Sequence, residues 1–191
     1  LEAWEQPCAD GVYALGADGF LYCRQAGHDW WEPVVEVGTS HRSIAVDAGR
    51  LYGVRADLEL EVQDLASAAP DRWQPLPVTG KVVSIYAHAG VVYGVGTTKV
   101  GEKMLRLSAA GEWEPASKGR LRELAVHNGQ LYGIGYDIPT PWVYRQPLAG
   151  LTRESRWEKA FLAGGQAAGG VAIPPASSIA FAGDDALGLY D

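Results

Sequence analysis

Apolar residues along this chain come in short runs bounded by Gly, Asp, Asn or Pro. No stretch places apolar residues at i, i+3, i+4 and i+7 over ten or more positions without a Gly or Pro interrupting it, as an amphipathic helix would require. The pattern predicts short strands throughout and close to no helix. The runs also repeat. A small-residue turn, an apolar pair with an aromatic and then Gly or Ala reads Asp10-Gly11-Val12-Tyr13-Ala14-Leu15-Gly16, Ala48-Gly49-Arg50-Leu51-Tyr52-Gly53-Val54, Ala89-Gly90-Val91-Val92-Tyr93-Gly94-Val95-Gly96 and Asn128-Gly129-Gln130-Leu131-Tyr132-Gly133-Ile134-Gly135. The tyrosines are 39, 41 and 39 residues apart. Ser178-Ile179-Ala180-Phe181-Ala182-Gly183 reads as a degraded fifth copy.

A second marker keeps the same period: Trp31-Glu32-Pro33, Trp73-Gln74-Pro75, Trp113-Glu114-Pro115 and Trp157-Glu158-Lys159, spaced by 42, 40 and 44 residues. Between the markers lies another strand, carried by Phe20 to Gln25, Leu60 to Gln63, Met104 to Leu107 and Trp142 to Gln146, of which Leu58 to Gln63 is the poorest copy. A further short strand precedes each tyrosine strand, at Ser43 to Asp47, Ser84 to His88 and Glu123 to His127. Four short strands in a unit of roughly 40 residues are the pattern of a β-propeller blade. Each twisted sheet has two apolar faces and no helix to cover them, so neighbouring sheets must do so.

The expected fold is therefore all-β, a β-propeller of five blades of four antiparallel strands, one blade having three. It forms a single domain over 1–191 with units 2–38, 39–80, 81–118, 119–164 and 165–191. The fifth unit reads as Val171 to Pro174, Ser178 to Gly183 and Ala186 to Tyr190, without an outer strand. Trp4-Glu5-Gln6-Pro7 either supplies that outer strand, closing the ring with both termini, or is the inner strand of the first unit. A four-bladed ring and a fragment of a larger ring remain alternatives.

Composition agrees with this reading and narrows the partners. The chain of 191 residues is 47% hydrophobic and 20% charged, with 24 Gly, 7 Trp and 9 Tyr against 3 Phe and 1 Met. Gly, Trp and Tyr together suit turns and half-buried sheet surfaces. A formal charge of −7 leaves no basic footprint for nucleic acid, and no apolar run is long enough for a membrane span. A chain that starts at Leu1 is compatible with a processed secreted or organellar protein. Cys8 and Cys23, if they lie on nonadjacent strands of one sheet, are about 9–10 Å apart at Cα, too far for a disulfide. They are expected to be free thiols packed as small hydrophobes.

The repeats resemble those of the tectonin and tachylectin-type propellers, which combine a Trp-containing outer strand with an Ile-Ala-Val, Gly, Leu-Tyr-Gly-Val-Gly, Val-Tyr-Arg run. The best match is Leu124 to Gln146, followed by Gly80 to Leu107. The resemblance implies a lectin-like or interaction module rather than an enzyme. It rests on fold-determining positions and departs at the insertion Tyr136 to Pro141 and in the fifth unit.

Candidate ligand contacts follow from recurring polar positions. Asp47, His88 and His127 end the first strand of their units, with Cys8 as a further equivalent, and would gather at one rim of the ring. His, Asp and Cys are metal-ligand types, yet no local ligand spacing supports a metal, and none is assigned. Arg24, Arg106 and Arg145 recur on the third strand, with Gln63 in the remaining unit; the guanidinium fork suits sugar hydroxyls or carboxylates. The loop from Tyr136 to Trp142 is an irregular aromatic feature of the kind that carries recognition on rigid scaffolds. Trp31, Trp73, Trp113 and Trp157 suit sugar stacking, but their regular recurrence favours wedges between blades. Tyr13, Tyr52, Tyr93 and Tyr132 read as core.

No Gly-x-Ser-x-Gly elbow, phosphate-binding loop or His-Glu-x-x-His motif occurs, so no catalytic residue and no cofactor is assigned. The first expectation is lectin-like carbohydrate binding at repeated blade sites. The alternative is a scaffolding propeller docked on a protein assembly, and a glycoside hydrolase is a remote third.

Overall fold

The computed structural model describes residues 12–25, 28–97, 104–119, 121–127, 129–135, 142–162, 165–166, 172–173, 178–182 and 185–189. Strands β1 (Val12–Leu15), β2 (Phe20–Arg24) and β3 (Glu32–Glu36) form a first sheet in that order. A second sheet holds β4 (His41–Asp47), β5 (Arg50–Arg55), β6 (Leu60–Asp64) and β7 (Gln74–Pro75). The third holds β8 (Val82–His88), β9 (Val91–Gly96), β10 (Met104–Leu107) and β11 (Trp113–Pro115), and the fourth β12 (Leu121–His127), β13 (Gln130–Gly135), β14 (Trp142–Pro147) and β15 (Glu158–Leu162). Every sheet is an antiparallel meander. Among the described residues the one helical element is a 3-10 turn at Leu65–Ser67.

The hairpins show why the small-residue motif recurs. Ala48 and Gly49 have φ of 49° and 76°, and Ala89 and Gly90 have φ of 50° and 78°. Two consecutive residues at positive φ make the hairpin turn whose twist matches that of its strands. The later glycines of the motif serve close approach instead. A Cβ on Gly94 would stand 2.7 Å from Val82 Cγ1, and one on Gly133 would stand 2.8 Å from Leu121 Cδ1. Each inner strand carries a register shift just after that contacting residue, between Val82 and Ser84 and between Leu121 and Glu123.

The apolar core lies between blades. Leu21 and Val37 of the first blade pack with Leu51 and Leu65 of the second. Val54 and Leu60 of the second meet Val82, Ile85 and Val92 of the third. Val95 and Met104 of the third meet Leu121, Leu124 and Leu131 of the fourth. Sheet-on-sheet burial, repeated blade by blade, is what the apolar runs predicted.

The all-β propeller architecture holds, but with four blades of three to four strands where five were expected. The described residues of 165–191 do not build another such sheet. They contribute two separate ladders, β16 (Gly165–Gln166) with β17 (Ala172–Ile173) and β18 (Ser178–Ala182) with β19 (Asp185–Leu189). The segment around Ala172 therefore pairs with β16, not with the Ser178 strand. The assignment of Ser178 to Gly183 as a tyrosine-strand copy also changes. β18 lies beside β12 just as β12 lies beside β8, which is the place of an inner strand. Ser178-Ile179-Ala180 then matches Ser43-Ile44-Ala45, and Gly188 matches Gly53 at the same interval. β18 also approaches β1 of the first blade. The proposed clasp at Trp4 to Pro7 lies outside the described residues.

The expectation of two free thiols is overturned. Cys23 is disulfide-bonded, and the chain's one other cysteine is Cys8.

Candidate functional site

Asp47, His88 and His127 do occupy equivalent places, facing Arg50, Val91 and Gln130 across the inner hairpins. Asp47, however, already has partners. Its carboxylate oxygens accept the backbone N–H groups of Ala89 at 3.1 Å and Gly90 at 2.6 Å, in the turn of the next blade. It thereby ties the left-handed turn of the third blade to the second. The same charge acts on Tyr86, whose phenol is pushed up to about 12, first by burial and then by Asp47, against an opposing hydrogen bond from the Val126 backbone. His88 is exposed, and the side chain of His127 lies outside the described residues, as does Cys8. Among the described residues no three His, Cys, Asp or Glu side chains assemble as a metal-binding group.

The arginine series divides once register is known. Arg106 faces Tyr93 and Arg145 faces Tyr132, so these two are equivalent. Arg24 faces Val12, one position further on, and its counterparts are Gln63 and Gln146, which face Leu51 and Leu131. Arg106 reaches Glu114 at 3.4 Å on the blade surface, and Arg145 is exposed opposite Glu158. Gln146 is buried against Ser117, with Nε2 to Oγ at 2.9 Å. Gln63 accepts the Ala69 N–H at 3.0 Å. Of the aromatic loop, Tyr136 lies outside the described residues, while the Trp142 ring is covered by the Lys159 ammonium at 4.5 Å.

The recurring tryptophans are wedges. Trp73, Trp113 and Trp157 each pack against the cluster shared by their own blade and the preceding one. Trp73 Nε1 donates to the Val37 carbonyl at 2.9 Å. The Trp113 ring stands over Gly80 and Gly94, and the Trp157 ring over Gly119. Trp31 is half-buried at the start of the first outer strand.

Two features escaped the repeat pattern because each belongs to one blade. The first is a buried polar cluster. His41 stands where the next blades carry Val82 and Leu121, its ring lying over Gly53. Its Nε2 is 3.1 Å from Glu61 Oε2, Arg55 Nη1 is 3.4 Å from Glu61 Oε1, and the Trp73 ring centroid is 4.0 Å away. Burial holds the imidazole below its ordinary range, opposed by Glu61. The sequence signal was a histidine at an aliphatic repeat position.

The second is Trp30, a residue 57% exposed. One face of its indole stacks on His28, with centroids 4.5 Å apart and planes at 18°. Its Nε1 donates to Glu32 Oε1 at 3.0 Å. Trp31 fits the repeat and Trp30 does not, so the extra tryptophan beside the marker was the available signal.

No protein-family model matches the chain, and no curated protein does. Among solved structures, a structural-genomics protein of unknown function from Bacteroides thetaiotaomicron aligns over 92% of this chain and 52% of its own, with 12% identity and a TM-score of 0.57. A chain of the nidogen/laminin complex aligns over 90% of this chain and 65% of its own, with 10% identity and a TM-score of 0.56. The likeness is one of fold, and this chain spans between half and two thirds of the length of these structures.

Proposed function

We propose that this chain is a non-enzymatic recognition propeller that docks on another protein through a surface confined to its first blade. The observation that carries this reading is the use of the repeated residues within the fold. Asp47 holds a neighbouring turn, Arg106 pairs with Glu114, and the tryptophans fill the spaces between blades. These repeated positions are committed within the fold, whereas the Trp30 patch is particular to one blade. The nidogen/laminin complex is an assembly of proteins in which a propeller of this fold occurs, the kind of use assigned here.

Lectin-like binding is the second reading, supported by the tectonin-like repeats and by the open indole face of Trp30. Size-exclusion chromatography of the native chain under gentle conditions, paired with a glycan array, separates the two. Protein docking is expected to give a companion protein that stays with the chain and an array without sugar-inhibitable signal. A 20.5 kDa species migrating alone, with array binding inhibited by a simple sugar, would overturn it.

A further inference from the structure

Trp30 is the one large hydrophobic side chain that stands exposed among the described residues, and it is held in place from several directions. His28 backs one face and Glu32 anchors the indole N–H. His28 is itself fixed: Arg24 Nε donates to its carbonyl at 2.7 Å, and its N–H donates to the Gln25 carbonyl at 3.1 Å. Arg24 also pairs with Asp29 at 3.5 Å. An aromatic surface ordered before contact loses little freedom on binding, which is the property of an anchor.

The chemistry around the open face is anionic. Asp29 is fully exposed, Glu32 is exposed with Oε1 accepting the indole N–H, and Arg24 is already engaged with Asp29 and the His28 carbonyl. Among the described residues named here, one guanidinium stands against two carboxylates, a negative balance on a chain of net charge −7. Building on the protein-docking reading, we infer that the His28–Trp30 platform receives an arginine or lysine side chain from a basic segment of a partner protein. The cation lies over the indole, where the ring quadrupole attracts it, and donates charge-assisted hydrogen bonds to Asp29 and Glu32. A neutral sugar would use the indole face but not the charge, so complementarity favours the cation.

The test titrates the 15N-labelled chain with the peptide acetyl-Gly-Arg-Gly-Arg-Gly-amide, with its uncharged citrulline analogue and with a neutral chito-oligosaccharide. The Trp30 indole N–H signal, assigned by its loss in Trp30→Phe, is followed throughout. The arginine peptide is expected to shift that signal, with binding about tenfold weaker for the citrulline analogue and for Asp29→Asn combined with Glu32→Gln. Unchanged positions of the remaining indole signals show that the variants fold. Equal shifts from the citrulline analogue, no shift from the arginine peptide, or a shift from the oligosaccharide alone would each overturn the assignment. A companion protein retained in full by Trp30→Ala overturns this site and leaves the docking reading standing; absence of any companion from the unmodified chain overturns the docking reading itself.

Discussion

The Asp47 carboxylate of the second blade lies 2.6 Å from the backbone nitrogen of Gly90 in the third, and 3.1 Å from that of Ala89. Both residues of that turn have positive φ, so the carboxylate supports a conformation that Ala89 adopts at a cost. Removing it exchanges two protein hydrogen bonds for bonds to water. Both amides are exposed and water can replace the carboxylate, so Asp47→Ala is expected to lower stability by about 0.5–1.5 kcal/mol, read as a lower urea midpoint at unchanged slope. Unaltered stability together with lost ligand binding would return Asp47 to the role of a ligand contact.

His41 makes stability depend on acid. Its folded-state pKa lies below the ordinary 6.5 because burial disfavours the imidazolium. Above 6.5 the imidazole is neutral folded and unfolded, and its contribution is complete. As pH falls through 6.5 toward the lower folded value, the unfolded chain takes up the proton first and stability declines. Replacing His41 by Val and Glu61 by Leu restores the apolar pair found at Val82 and Leu105. The double variant is expected to flatten the fall in thermal midpoint between about pH 7 and about pH 5. An unchanged slope would place the acid sensitivity elsewhere.

The glycines divide by cause. Gly94→Ala drives a methyl to 2.7 Å from Val82 and 3.1 Å from the Trp113 ring, an overpacking expected to cost about 1–3 kcal/mol. Val82→Ala in the same chain should recover part of that loss, as a double-mutant cycle will show. Gly90→Ala meets no atom within 4 Å and should cost about 1–2 kcal/mol, through its φ of 78° alone. Val82→Ala should not offset it.

Reduction should weaken the chain. A disulfide typically contributes about 2–4 kcal/mol by restricting the unfolded state, and Cys23 is bonded, so Cys23→Ser and dithiothreitol are each expected to lower the thermal midpoint. If dithiothreitol also destabilises Cys23→Ser, the effect does not come from the disulfide.

Legibility followed repetition. The tyrosine strands, the wedge role of Trp113 and Trp157 and the glycine turns were each readable because several blades impose the same packing demand on the same position. Arg24 was misgrouped with Arg106 and Arg145 because type and approximate spacing match while register differs by one, and one position moves a side chain to the opposite face of a strand. Ser178 was placed on the wrong strand for a related reason: Phe181 imitated the recurring tyrosine, while the neighbour that identifies an inner strand, β12, is remote in sequence. Trp30 and His41 escaped the repeat reading because each departs from the repeat in a single blade.

The sequence by itself determined an all-β chain of repeated antiparallel meanders, since alternation, turn glycines and the period of the Tyr and Trp markers are local properties of each unit. Tertiary structure alone decided how many blades those units make, that Asp47 serves a neighbouring turn, that Cys23 is bonded and that Trp30 keeps one face open. Those outcomes depend on distances between blades and across ladders. Such distances are set by sheet packing and register, and a single strand's pattern does not contain them.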